Sequence, residues 1–349
     1  MNDRTSRSRS VAELTRWHAA SREEVLDPEL PVIDAHHHLW RRPPDRFCFD
    51  ELMEEVSSGH NVRATVFVEC SSMFKADGPR HLRPIGETEY VNGVAAISAS
   101  GICGPVRLCA GIVGYVDLRV GSSVRDVLEA HILAGGGRFR GVRQQAQFDE
   151  QVGSLARRTP PQGLLLDSAF RMGFAQLQPL GLSFDAFVYF TQLRELADLA
   201  RAFPETELVL EHIGVPVGVG SYAGRRSDVF AQWSRDIAEL AKEPNVTVKI
   251  GGLGMPVFGF GFHEHPSPPS SIVLSAAWRP YVETCVEAFG AKRAMFESNF
   301  PVDMQSCSYV ALWNAYKRLA HGASDSDRHA MFHDTAQRIY RLPFEPCAI

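Results

Sequence analysis

Eight short apolar segments punctuate this chain, and amphipathic helical patterns lie between most of them. The segments are PVIDAH (31–36), RATVFVE (63–69), LCAGIVGYVDL (108–118), FRGVRQQ (139–145), LSFDAFV (182–188), TELVLEH (206–212), NVTVKIGG (245–252) and KRAMFES (292–298). TEYVNGVAAISAS, QLRELADLARAF, FAQWSRDIAELAKE and PYVETCVEAFG carry the i, i+3, i+4 apolar spacing of helices packed on one face. Strand–helix alternation implies a parallel sheet, and eight strands count out an α/β fold of the (β/α)8 TIM-barrel type. A slipped strand count would leave another parallel sheet. Two further helices, SYVALWNAYKRLAHG and SDSDRHAMFHDTAQRIYRL, close the chain, and the first completes the outer ring.

The length of 349 residues suits one such barrel with insertions. No repeat or internal linker marks a second domain, so 31–349 reads as a single unit. Residues 1–30 read as an N-terminal arm, with 1–10 disordered and 11–27 forming a helix packed outside. The start, MNDRTSRSRSVAELTRW, is basic but has no apolar core, so it is not a secretory signal. The connection at about 252–278 is rich in Gly, Pro and Phe, and reads as a lid or substrate wall.

Composition narrows the partners. A net charge of −5 gives no reason to expect a nucleic acid or an anionic membrane. No run of 18 apolar residues is present to span a bilayer. Seven scattered cysteines without a CxxC pair argue against a disulfide framework or a structural zinc site, and for a cytoplasmic protein. A small-molecule substrate is the expected partner, and a homo-oligomer remains open.

In a barrel of this kind, chemistry collects at the C-terminal strand ends. Strand one ends in Asp34-Ala35-His36-His37-His38. Alternation puts His36 and His38 on one face, with Asp34 a layer deeper on it, and turns His37 toward a neighbouring helix or loop. Two such imidazoles can hold one divalent metal, or a substrate carboxylate or carbonyl without metal. The bland reading, two hydrogen-bonded core histidines, is weakened by their pairing at a strand end. His212 joins them if its parity faces inward, and Glu211 then points outward as a structural ion-pair partner. Arg143 suits a planar substrate carboxylate, with a surface salt bridge as the bland alternative. Glu69, Tyr189, Gln192 and Lys249 are pocket candidates, each as readily scaffold. Lys249 stands in an apolar strand and needs a partner, for which Glu297 on the next strand is a candidate. His263 and His265 lie in the long insertion, and His263 could reach substrate if the insertion closes over the mouth.

These residues also carry a resemblance. D-A-H-H-H-L-W (34–40), E-H-I-G-V-P (211–216) and E-S-N-F-P-V-D (297–303) resemble the signature segments of the amidohydrolase-related proteins. The branch is the one with the 2-pyrone-4,6-dicarboxylate lactonase and sugar-lactone hydrolases. A-G-I-V-G-Y-V-D-L (110–118) and F-R-G-V-R (139–143) are similar too, and the likeness runs from Pro31 to Leu342. It implies a barrel hydrolase that opens a lactone or a related ester or amide. His36 and His38 match the family's paired histidines, and His212 the later one. The family's G-[ST]-D-[WFY]-P turn places an aspartate where this chain has Asn299.

An amide cannot take a proton at neutral pH, and it is a poorer metal ligand than a carboxylate. Asn299 can still orient water or donate to a developing oxyanion. Glu297 lies two residues earlier, facing the same way and about 6 to 7 Å deeper. It ranks first as substitute base, Asp303 second, with a metal hydroxide or a histidine as a third route. Equally, Glu297 is merely the buried partner of Lys249. The expected activity is lactone hydrolysis on a small ring bearing a carboxylate or hydroxyls. Arg143 would anchor the substrate, and His36, His38 and His212 would polarise the carbonyl directly or through one zinc or manganese ion. A metal-dependent decarboxylase and a non-catalytic small-molecule binder are the alternatives.

Overall fold

The computed structural model describes residues 9–42, 45–153 and 159–343. Most of the arm expected to be disordered, residues 1–8, lies outside that range. The eight expected strands are all present, with shorter bounds at most ends. They are β1 Pro31–His37, β2 Asn61–Val68, β3 Arg107–Gly114, β4 Phe139–Val142, β5 Ser183–Ala186, β6 Leu208–Leu210, β7 Val246–Ile250 and β8 Ala294–Phe296. Each pairs in parallel with the next in sequence order, which is the topology of a (β/α)8 barrel. Closure is made just beyond β8. Asn299 donates its backbone N–H to His36 O, and His38 N–H donates to Phe300 O, both at 2.8 Å.

Asp34 ties this seam from outside. Its Oδ1 accepts from Ser298 N at 2.8 Å, and its Oδ2 accepts from the Tyr309 hydroxyl at 3.1 Å. The expectation that Asp34 shares the inner face with His36 is therefore corrected. Ile33 and Ala35 face the interior instead, and a register irregularity between Asp34 and His37 resets the alternation.

The barrel interior is filled by Ile33, Val66, Val68, Val113, Val209 and Met295. Ile339, Tyr340 and Leu342, from the end of the last helical segment, pack into the same cluster. Outside, Trp233, Trp278, Trp313 and Tyr316 are fully buried between helices and sheet. The N-terminal helix α1 spans only Val11–Ala19, shorter than expected, and is held by a Ser10–Glu13 capping box. It packs on the chain's own loops: Trp17 Nε1 donates to His265 O at 3.1 Å, and Arg9 N to Gln305 Oε1 at 2.9 Å. A small hairpin, Trp40–Arg42 with Asp45–Phe47, follows β1 and was not foreseen.

Asp34→Ala would strand the buried Ser298 N–H and the Tyr309 hydroxyl. The expected loss is about 2–3 kcal/mol, read by urea unfolding. An unchanged midpoint would show that the seam does not depend on this carboxylate.

Candidate active site

The strand ends surround a cavity of about 300 Å³, whose lining includes His38, Trp40, Arg143, Phe187, His212 and Asn299, with Met255, Pro256 and Val257 from the long insertion. His36 lies beside it, fully buried. Three imidazoles thus converge. The ring centroids of His36 and His38 are 4.8 Å apart, and those of His36 and His212 4.7 Å.

β6 stops at Leu210, and His212 and Ile213 take left-handed φ values of 51° and 52°. Strand parity no longer applies there, so both Glu211 and His212 turn inward. The expectation of an outward Glu211 is corrected: its carboxylate is fully buried, 3.2 Å from His36 Nδ1 and 2.9 Å from Arg143 Nη1. Trp233 Nε1 pins this turn by donating to Ile213 O at 2.7 Å.

Glu297 bridges two imidazoles. Its Oε1 lies 2.6 Å from His212 Nδ1, and its Oε2 lies 2.9 Å from His36 Nδ1. Two glycines make room for this couple. A Cβ at Gly251 would fall 2.2 Å from Glu297 Cγ, and one at Gly252 2.5 Å from His212 Nδ1. Burial pushes the Glu297 carboxyl up, but His212 and His36 outweigh it and hold the group below its ordinary value. For His36, burial is outweighed by Glu211 and Glu297, and the imidazole is raised. Burial lowers His212 against the pull of Glu297, and lowers His38 further, with help from His36 and Arg143.

Lys249 is fully buried, and its partner is not Glu297. It donates to Asp185 Oδ2 at 2.7 Å and lies 3.7 Å from Glu211 Oε1. Register explains this: Lys249 pairs with Met295, leaving Glu297 two residues further on, just past the end of β8. Tyr340, from the barrel interior, donates to the same Asp185 oxygen at 2.6 Å.

The remaining expected residues divide. Arg143 lines the cavity, but its Nε meets Glu69 Oε1 and its Nη1 meets Glu211 Oε2, both at 2.9 Å. Its charge is already matched. Asp303, expected to be loosely fixed at the mouth, is fully buried and held by Gly254 N–H and the Asn299 amide, both at 2.8 Å. Tyr189 is buried in the apolar core outside the cavity lining, and Phe187, two residues earlier, takes its place. His263 also stays outside that lining; its carbonyl accepts from the Arg9 guanidinium, so this part of the insertion packs on the arm. Gln192, after β5, clamps the loop that follows β4, donating to Ala146 O and accepting from Phe148 N. His37 faces away as expected, though onto strands rather than a helix or loop, with Nε2 2.8 Å from Thr65 Oγ1.

The histidines and carboxylates fit a cation. His38 Nδ1 lies 2.8 Å from Val68 O and His36 Nδ1 faces carboxylates, which assigns the Nδ1–H tautomer to both. Their Nε2 atoms are then left 3.2 Å apart. Two lone pairs so close need a proton or a cation between them. The spacing is near the ~3.3 Å ligand edge of a tetrahedral zinc site with nitrogen donors. Four buried carboxylates (Glu69, Asp185, Glu211 and Glu297) share two permanently charged partners, Arg143 and Lys249, with the imidazoles of His36 and His212, so the cluster favours further positive charge, as an imidazolium or a bound cation. Donor atoms of His36, Glu211 and His212 also lie within 4.8 Å of one another, a set able to hold a metal ion.

A barrel with paired histidines on β1, a third after β6 and carboxylates behind them defines a class of hydrolase-like sites. The amidohydrolase family model matches residues 33–342, and the chain belongs to that family. Protein y4mH of Sinorhizobium fredii is 34% identical over 331 residues, covering 90% of this chain and 99% of the relative. An L-fucono-1,5-lactonase of Burkholderia multivorans is 26% identical over 335 residues, covering 89% and 96%. Among solved structures, an amidohydrolase from Burkholderia multivorans with bound zinc superposes with a TM-score of 0.69 at 25% identity, covering 89% and 99%.

Burial raises the Asp303 carboxyl to about 7. The folded chain therefore keeps a proton that the unfolded chain, with an ordinary aspartate, has lost by pH 5.5. Stability from this group falls as pH rises toward 7. Between pH 5.5 and 8 the wild type should lose about 2 kcal/mol relative to Asp303→Asn. Chemical denaturation at the two pH values checks this, and parallel profiles would refute it.

Proposed function

We propose that this protein hydrolyses a lactone, with His212 as general base and Glu297 as the carboxylate that orients it. The supporting observation is the 2.6 Å contact between Glu297 and His212 Nδ1. It leaves Nε2 as the free nitrogen of a ring that lines the cavity. This reassigns the proton acceptor. Glu297 is fully buried behind the imidazoles, so it stabilises the imidazolium rather than meeting water itself. The reading also draws on the family membership and on the lactonase relatives.

Water loses a proton to His212 Nε2 as its oxygen attacks the ring carbonyl carbon. The carbonyl oxygen gains the charge and lies toward His36 and His38, where the cluster calls for positive charge. The ring C–O bond then breaks, His212 returns its proton to the departing alkoxide, and a hydroxy acid leaves. With His212 acting as base, His36 and His38 are the residues that would hold a divalent ion. When bound, that ion would polarise the carbonyl as a Lewis acid. Asn299, with its amide nitrogen donating to Asp303, keeps its carbonyl oxygen as an acceptor for water.

Lactone opening followed by pH-stat, with zinc and manganese analysis of the purified protein, tests the reading. His212→Ala should lower kcat about 10³-fold and Glu297→Gln about 10²-fold, with KM changed far less. Full activity in His212→Ala would remove the base assignment. Firmly held zinc without opening of any lactone, together with CO2 release from an aromatic carboxylic acid, would point to decarboxylation.

A further inference from the structure

The reacting groups of the main cavity are polar, but much of its wall is not. Trp40, Phe187, Met255, Pro256, Val257 and Val302 all line it. They come from four separate segments: the hairpin after β1, the loop after β5, the long insertion and the turn after β8. This wall reaches the chemistry itself. Trp40 stacks on His38 with ring centroids 5.9 Å apart, and Phe187 meets His212 edge-on at 5.1 Å.

The polar side chains of the lining are engaged within the protein. Arg143 is matched by Glu69 and Glu211. Arg42 lies 4.3 Å from the centre of the Trp40 ring and donates to Cys70 O. Gln145 donates to Glu69 Oε1 at 2.9 Å, and Asn299 donates to Asp303 Oδ1 at 2.8 Å. His38 and His212 belong to the reacting centre. A hydroxyl or carboxylate set against such a wall gives up water and finds few partners in return, which costs binding. A hydrocarbon group has no hydrogen bonds to lose and is favoured by the same burial.

We propose that the lactone opened here carries a hydrocarbon substituent, packed against Trp40, Phe187 and the Met255–Val257 segment, with Trp40 as a specificity-determining residue. The inference rests on the lactonase reading and narrows its substrate class to apolar lactones, away from polyhydroxylated and carboxylated rings. The cavity of about 300 Å³ is at the small end for a small-molecule site, so a ring with a short chain fills it. Trp40 and Val302 are only half-buried, so both can be changed while the core stays packed.

A series of six-membered lactones tests this: δ-valerolactone, its 6-methyl, 6-propyl and 6-carboxy derivatives, and the polyhydroxylated D-glucono-1,5-lactone. In the wild type, kcat/KM should rise about tenfold or more from the 6-methyl to the 6-propyl ring, since each methylene buried against carbon is worth about fourfold. The 6-carboxy and glucono rings should fall below the 6-methyl one. Trp40→Ala and Val302→Ser should each cut the propyl-to-methyl ratio to about threefold or less, and Trp40→Phe, which keeps an aromatic wall, should retain most of it. A wild type with no gain along the alkyl series, one that favours the 6-carboxy or glucono ring, or a ratio that survives in folded Trp40→Ala and Val302→Ser overturns the proposal. If no lactone is opened at all, the lactonase reading fails by itself. The apolar wall is then judged by calorimetric binding of 2-propyltetrahydropyran against tetrahydropyran: tighter binding of the propyl compound that is lost in Trp40→Ala supports it, and equal affinity overturns it.

Discussion

The buried charge cluster at the barrel mouth is what the rest of the site depends on. Glu297, Glu211, Asp185 and Glu69 are all removed from water, together with Arg143 and Lys249. Each charge has an opposite charge or an imidazole within reach, because an isolated buried ion would cost several kcal/mol. Pairing these groups fixes more than their own positions. Glu297 reaches both His36 Nδ1 and His212 Nδ1, so one carboxylate sets the tautomer of two rings. Gly251 and Gly252 are part of the same arrangement, since any side chain there would meet the couple. The site is thus built across β1, β6, β7 and β8 at once.

Backbone geometry and chemistry meet in two turns. After β6, left-handed residues turn consecutive side chains inward, giving both Glu211 and His212 to the site. Ile213 is β-branched and pays a conformational cost at φ 52°, held there by Trp233. After β8, Asn299 is also left-handed, at φ 55°, a region that asparagine tolerates better than most residues. Its backbone N–H helps close the barrel while its side chain reaches the cavity. The closure bond and the site residue are the same amino acid.

This explains what could be read from the chain alone. Strand count and order were legible because each strand is a short apolar run and each helix has its own period. The histidines were legible because three of them end strands. Asp34 and Glu211 were misplaced because a register irregularity and a left-handed turn break alternation, and neither leaves a mark in the residue pattern. Asp185 was overlooked, although a carboxylate inside LSFDAFV is as anomalous as Lys249 inside NVTVKIGG. Each buried charge called for an opposite one, and their pairing spans a strand lying between them. Phe187 and the hairpin at Trp40 depend on how loops fold over the mouth, which local periodicity does not encode.

Moving the carboxylate from position 299 to 297 changes its chemistry as well as its place. At 299 the side chain lines the cavity, where an acid could meet water directly. At 297 it lies behind the imidazoles, sealed from the cavity and flanked by His36 and His212. A carboxylate held below its ordinary pKa by two imidazoles is a poor proton acceptor but a strong stabiliser of imidazolium. In the proposed mechanism the pair would divide the labour of a single exposed aspartate: the ring would exchange protons and the carboxylate would hold the charge. Under that mechanism Asn299 need not be acidic, and Asp303, bound to its amide, could remain buried and partly protonated near neutral pH without removing the proposed base.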